Sequence, residues 1–319
     1  MKLDSVLLQE IESDLGINIT FEKGRRIPVR NCWHFSTDGN TVDAVFEDDE
    51  DFRNGMNRVF LVVRNYRIVI LAFCLMDTHI HFIIWGSYDD CNQFMHEYIR
   101  RTSMDITRKH GHSKKLENVP VHCQKIDNVF YLKVCICYVI KNPPVGGIAY
   151  NALDYPWSSA PLYFRRSGNW AAPNWTDGRH SIELGGNLKR TVLRTRDTSR
   201  EMVEITDNEM VFPGAYVAYE IVESLFRTCK GFNYFMCITK EEDVETKDGR
   251  ISRLSIPMQE MRQNKATVCL KLFGTKSTNK LSMPQRIKLA KVLKAQYHSS
   301  TKQILRLCGI RYEEGKDLI

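Results

Sequence analysis

An α+β domain followed by a basic helical region is the fold class this chain predicts, and three features point to it. Residues 67–86, RIVILAFCLMDTHIHFIIWG, hold two β-rich apolar runs separated by Met76-Asp77-Thr78, the pattern of two sequential strands. Helical spacing of apolar residues flanks that pair on either side, at 41–66 and 91–109. Residues 251–319 are again helical in pattern and rich in lysine and arginine.

Taken in order, Leu7, Ile11 and Leu15 are spaced by four and predict a helix within residues 1–27, ahead of a basic turn at Lys23-Gly24-Arg25-Arg26. Residues 31–37 read as a strand. The acidic stretch from Glu47 to Asp51 precedes a helical pattern with Met56, Phe60 and Val63, and acids there suit the positive end of a helix dipole. The helix at 91–109 carries Arg100, Arg101, Arg108 and Lys109 in its second half, a candidate DNA-contact set. A further helix at 128–142 is expected to stop at Asn142-Pro143-Pro144, because a residue before proline disfavours helical geometry. Residues 165–190 are rich in Gly, Asn, Arg and Trp with little periodicity and read as a linker or irregular platform. Residues 215–229 are amphipathic, and 240–250 form a charged break. The expected organisation is a domain over 1–165, a linker or accessory region over 166–250 and a helical region over 251–319.

Composition narrows the class of protein. Of the 319 residues 43% are hydrophobic and 26% charged, which suits a globular chain. The apolar run from Ile68 to Met76 is far shorter than the roughly 20 residues a membrane helix needs, and the N-terminus shows no clean signal-peptide pattern. Ten cysteines without a CxxC pair suggest buried thiols and a reducing, cytoplasmic setting. A net charge of +7 permits nucleic-acid binding without requiring it.

Two histidines, His79 and His81, sit two apart in the second apolar run, flanked by Ile80, Phe82, Ile83 and Ile84. In a strand this spacing puts both imidazoles on one face, with Cα atoms about 6–7 Å apart, close enough to share a divalent ion. The spacing alone is weak, since a second pair, His110 and His112, lies in a basic turn and reads as a solvated or phosphate-facing loop. On the helix at 128–142, Tyr131, Tyr138 and Asn142 fall on one stripe, and Tyr138 and Asn142, four apart, have Cβ atoms about 5–6 Å from each other. A phenol beside an amide ligand, facing a histidine-bound metal, would make a phosphoryl-transfer site.

The segments LMDTHIHFIIWG at 75–86, YVIKNP at 138–143 and DYPWSS at 154–159 together resemble the single-tyrosine HUH transposases, in particular the REP-associated tyrosine transposases of bacteria. The resemblance is strong over about residues 30–165 and looser beyond. It implies that His79 and His81 bind a divalent cation, magnesium or manganese, that Asn142 is the third ligand and that Tyr138 is the nucleophile. It also implies a ferredoxin-like antiparallel sheet with helices on one face, and cleavage of single-stranded DNA beside a hairpin through a 5′-phosphotyrosine. Whether Tyr138 would serve its own chain's metal or that of a partner in a homodimer is left open. Asp77 and Thr78 stand where Pro and Asn are usual in that family, and Val145 replaces a frequent arginine. A relative that holds DNA hairpins without chemistry, a metallohydrolase using activated water and an RNA-binding ferredoxin-like module are the rival readings.

In the C-terminal region, Ser282-Met283-Pro284-Gln285 reads as a capping box, followed by a face of Ile287, Ala290, Leu293 and Tyr297. A second helix at about 300–308 ends at Gly309, and 310–319 could begin a third, a helix-turn-helix-like arrangement. Lys288, Lys291, Lys294, Lys302 and Arg306 supply positive charge for DNA, while Glu313, Glu314 and Asp317 work against phosphate approach.

Overall fold

A computed structural model describes residues 5–17, 27–37, 45–111, 119–145, 148–149, 151–165, 178–239, 244, 258–297, 301–315 and 318. The chain forms two compact units, Met1–Ile238 and Thr239–Ile319.

In the first unit α1 (Ser5–Leu15) is followed by β1 (Pro28–Thr37), α2 (Asp49–Val63), β2 (Ile68–Leu75), β3 (Ile80–Gly86), α3 (Tyr88–His110), β4 (Val121–Asn128) and α4 (Val129–Val145). The four strands make one antiparallel sheet in the order β2-β3-β1-β4. Order and connectivity are those of the β-α-β-β-α-β ferredoxin-like fold. The expected α+β class is therefore what the chain adopts, but helices lie on both faces of the sheet rather than on one, α2 and α3 packing on one side and α4 on the other.

Alternation along β3 divides the sheet into two faces. Ile80, Phe82 and Ile84 join Phe94, Met95 and Tyr98 of α3 and Met56, Val59 and Phe60 of α2 in one core. The intervening positions, His81 and Ile83, face the other way, where α4 packs against all four strands. β2 is buried along its whole length, which is why it reads as an unbroken apolar run rather than an alternating one. Its outer edge is covered as well. Leu75 N–H donates to Trp157 O at 2.9 Å, Ser159 N–H to Phe73 O at 3.0 Å and Ala218 N–H to Ile70 O at 2.9 Å, and the Tyr155 hydroxyl donates to Leu75 O at 2.8 Å. The DYPWSS motif thus closes an edge that would otherwise expose unpaired backbone groups.

Local chemistry sets the helix ends. Asp48 caps α2, accepting from Asp51 N–H at 3.0 Å, with Asp49, Glu50 and Asp51 in the first turn. Ser87 caps α3, and Gly111 ends it in the left-handed conformation at φ +68°, which costs glycine little. Phe82 is the aromatic hub, fully buried, edge-on to Tyr98 at 5.2 Å and Phe94 at 5.4 Å and stacked on Phe73 at 5.8 Å. Phe82→Ala is expected to cost about 3–5 kcal/mol in urea unfolding; a loss below about 1 kcal/mol would mean that the cluster does not hold the sheet to α3.

Three expectations are corrected. α4 does not stop at Asn142 but runs through Pro143 and Pro144 to Val145, because the Asn142 side chain donates to the Tyr138 and Val139 carbonyls where a proline N–H is missing. β4 has no counterpart in the sequence reading, since only Ile126 of its eight residues is buried and no apolar alternation marks it. The stretch read as irregular contains, in its described part, β5 (Arg179–Leu184) and α5 (Gly186–Val192); β5 pairs in full antiparallel register with β6 (Glu201–Thr206). α6 (Tyr219–Phe226) and α7 (Cys229–Ile238) complete the unit.

The second unit is helical, with α8 (Met258–Phe273), α9 (Met283–Tyr297), α10 (Thr301–Cys308) and the single turn α11 (Tyr312–Gly315). Leu289, Ala290 and Leu293 of α9 pack with Ile304, Leu305 and Cys308 of α10. Gln285 reaches back as the capping box requires, its Oε1 accepting from Ser282 N–H at 2.9 Å. Apart from Val244, the charged break at 240–250 lies outside the described residues, as does the Tyr297 side chain. Among the described residues no helix is long and apolar enough to cross a membrane.

Candidate functional site

The sheet face under α4 gathers most of the residues singled out from the sequence. His81 projects from β3 and is 2% exposed. Tyr138 of α4, 6% exposed, sets its ring edge-on to His81, with centroids 5.6 Å apart at 88°. His79 lies just before β3 rather than within it, in a turn closed by Met76 N–H donating to His79 O at 2.8 Å. Its half-buried ring is edge-on to His81 at 4.9 Å. The Asp77-Thr78 departure serves this turn. Asp77 Oδ1 accepts from Thr78 N–H at 3.0 Å, and Thr78 Oγ1 lies 2.9 Å from His79 Nδ1.

Asn142 is pinned by the proline after it. Pro143 has no N–H to give the Val139 carbonyl, so that helix oxygen lacks its usual donor. The Asn142 side chain supplies one, its Nδ2 donating to Tyr138 O at 3.0 Å and Val139 O at 3.4 Å. With Nδ2 committed to the helix, Oδ1 is the atom left for a ligand. Asn-Pro at the end of α4 therefore both prolongs the helix and orients the amide.

A third imidazole, absent from the sequence reading, completes the cluster. His34 of β1 stacks on His81 with centroids 5.4 Å apart and an interplanar angle of 18°, and its Nε2 lies 3.1 Å from His81 Nδ1. It is also edge-on to Tyr138 at 5.8 Å. The only available signal was the alternation that puts Cys32, His34 and Ser36 on one face of β1, and nothing in it joins His34 to a residue 47 positions away. Burial pushes the His34 imidazole down to about 4. Burial also holds His81 well below the ordinary histidine range, helped by the neighbouring His79 and His34 and opposed by the Asn142 side chain. Both rings are therefore neutral at pH 7, the state in which an imidazole nitrogen can ligate a metal.

Among the described residues no three His, Cys, Asp or Glu side chains gather as a metal set. The residues on this face that could hold a cation are His79 and His81, through their imidazoles, and Asn142, through its amide oxygen. The Nε2 of His81 is buried without a hydrogen-bond partner, an unusual cost for a polar atom unless a ligand meets it. Two imidazoles and one neutral oxygen suit a divalent ion and leave positions open for phosphate oxygens.

Other candidates fall elsewhere. Tyr131, though on the same helix, is 2% exposed with its hydroxyl unpartnered; burial raises its phenol well above the usual range, and its polar neighbours are Cys135 and Gln124. Arg100, Arg101, Arg108 and Lys109 are on α3, across the sheet from His81. Arg100 and Arg101 both pair with Glu97 and Arg108 with Asp105. Lys109 bridges Asp48, Glu50 and Asp51 at 2.6, 3.2 and 3.0 Å, fastening α3 to the start of α2. His110, expected in a solvated loop, is the last residue of α3 and contacts Asp51 at 2.9 Å; His112 lies outside the described residues. In the second unit Lys288 and Lys291 are exposed on α9, and Lys302 and Arg306 belong to α10 with side chains outside the described residues.

No family model matches the chain, and no curated protein matches it. Among solved structures it is similar to a REP-associated tyrosine transposase bound to a REP hairpin, at 18% identity and a TM-score of 0.36, over 48% of this chain and 92% of that one.

Proposed function

We propose that the chain nicks and rejoins single-stranded DNA through Tyr138, next to a DNA hairpin. The observation that carries this reading is the Tyr138 ring set edge-on against two neutral imidazoles, with the Asn142 amide one helical turn later. A tyrosine attacking phosphorus needs the phosphate fixed beside it, and His79, His81 and Asn142 are the residues that would hold the cation doing so. When bound, magnesium or manganese supplies positive charge to the phosphate oxygens. The phenol oxygen of Tyr138 forms the new P–O bond as the bond from phosphorus to the 3′-oxygen breaks. The phenol proton passes to water, and the leaving oxygen takes a proton from water to become a 3′-hydroxyl. The 5′-phosphate remains on the tyrosine, and reversal by another 3′-hydroxyl joins a strand.

Divalent dependence checks the reaction class. Chelator-stripped protein is expected to leave a labelled, hairpin-flanked single strand uncut, and magnesium or manganese to restore cutting; undiminished cutting in chelator would exclude the proposed cation. A role for the second unit in holding the hairpin rests on exposed Lys288 and Lys291. The double variant Lys288→Glu/Lys291→Glu is expected to weaken hairpin binding and to reduce the slope of log affinity against log salt by about 1 for each phosphate no longer neutralised. An unchanged slope would make α9 a packing element only. Binding to hairpins with no cutting under any divalent ion would favour a hairpin-binding protein without chemistry.

A further inference from the structure

We propose that His34 fixes the tautomer of His81, accepting a hydrogen bond from His81 Nδ1–H so that a bare Nε2 points into the site. The inference rests on the metal reading above and adds a positioning residue to it. Two directions are open to a hydrogen bond between His34 Nε2 and His81 Nδ1, 3.1 Å apart. If His34 donated, the proton of neutral His81 would sit on Nε2. That N–H could be met only by the Asn142 side chain, and a protonated nitrogen cannot ligate a cation. If His81 donates, its Nε2 carries the lone pair, and the proton of His34 moves to Nδ1.

The second arrangement also suits two other buried atoms. His34 Nδ1 and Gln124 Oε1 both lack a hydrogen-bond partner, and the two residues are directly opposite in the β1–β4 register, so their side chains share a face. An Nδ1–H on His34 would present a donor on the face that also holds the unpartnered Gln124 oxygen. The hydrogen-bonded pair of His34 and His81 spans β1 and β3, the two inner strands of the sheet. His79 is held in a parallel way, with Thr78 Oγ1 2.9 Å from its Nδ1. Outer partners of this kind orient a ligating imidazole and typically change metal affinity about 10–100-fold when lost.

Long-range proton–nitrogen spectra of the metal-free full chain at neutral pH read the tautomer without any metal or substrate. His81 is expected as the Nδ1–H form, whereas an imidazole in water favours the Nε2–H form. His34→Phe is expected to return His81 toward the Nε2–H form and to weaken manganese binding about 10–100-fold. His34→Gln, whose carbonyl oxygen can accept near the position of Nε2, is expected to recover most of both. An Nε2–H signal for His81 in the unmodified chain overturns the proposal, whether or not His34→Phe folds. A wild-type Nδ1–H form that persists in a folded His34→Phe variant overturns it too, because His34 would not be its cause. If the tautomer responds as stated but manganese binds neither protein, the orienting role stands and the metal reading fails.

Discussion

His81→Ala is expected to weaken manganese binding by more than about 100-fold, beyond the range that loss of an outer partner costs. The imidazole is neutral through burial, so no proton competes for it near pH 7, and its Nε2 lacks a hydrogen-bond partner in a ring whose centroid lies 4.9 Å from that of His79 and 5.6 Å from that of Tyr138. His79→Ala should behave similarly, with less effect on stability because its ring is only half-buried. Asn142→Ala should cost about tenfold, since a neutral amide oxygen is the weaker ligand. Its loss also leaves the Val139 carbonyl without the side-chain donor that stands in for proline, so the end of α4 should fray. Calorimetric titration with manganese, alongside urea unfolding to confirm that each variant is folded, reads both effects. Affinity unchanged in folded His79→Ala and His81→Ala would remove these residues as ligands.

Tyr138→Phe is expected to abolish covalent attachment to DNA while leaving manganese affinity and single-strand binding intact. The substitution removes one oxygen and keeps the ring, so the edge-on contacts with His34 and His81 survive. A free tyrosine has a pKa near 10 and is a poor nucleophile at neutral pH, so reactivity depends on the phosphate being held within about 3–3.5 Å of the phenol oxygen. Tyr131→Phe is the matched control on the same helix. Its hydroxyl is buried without a partner and pushed upward in pKa, so its removal should leave attachment unchanged and cost little stability. Attachment kept by Tyr138→Phe and lost by Tyr131→Phe would reverse the assignment.

How much of this could be read from residues alone depended on whether the signal was local. The β2–β3 pair was legible because two apolar runs and a turn lie within twenty residues, and period-two alternation correctly separated His81 from Phe82. The Tyr138–Asn142 juxtaposition was equally legible from helical spacing. His34 was not, because its meeting with His81 depends on β1 inserting beside β3, a pairing that no spacing encodes. β4 was missed for a related reason: as an edge strand with one buried residue it has no reason to alternate. The basic run on α3 shows what local spacing leaves out. Arg100, Arg101, Arg108 and Lys109 form an obvious cluster in sequence, yet the acids that neutralise Lys109 come from the start of α2, more than fifty residues away, and α3 lies on the other face of the sheet. Pro143 and Pro144 misled in a third way, because a helix can tolerate proline where a neighbouring side chain replaces the missing donor.

The decisive observation is the covalent product. The unmodified chain is incubated with magnesium and a labelled single strand carrying a hairpin, denatured in SDS, digested and mapped by mass spectrometry. A nucleotide adduct is expected to survive denaturation on the peptide containing Tyr138, together with release of a strand ending in a 3′-hydroxyl. An adduct on any other residue, or cut strands with no adduct at all, would show that Tyr138 is not the nucleophile.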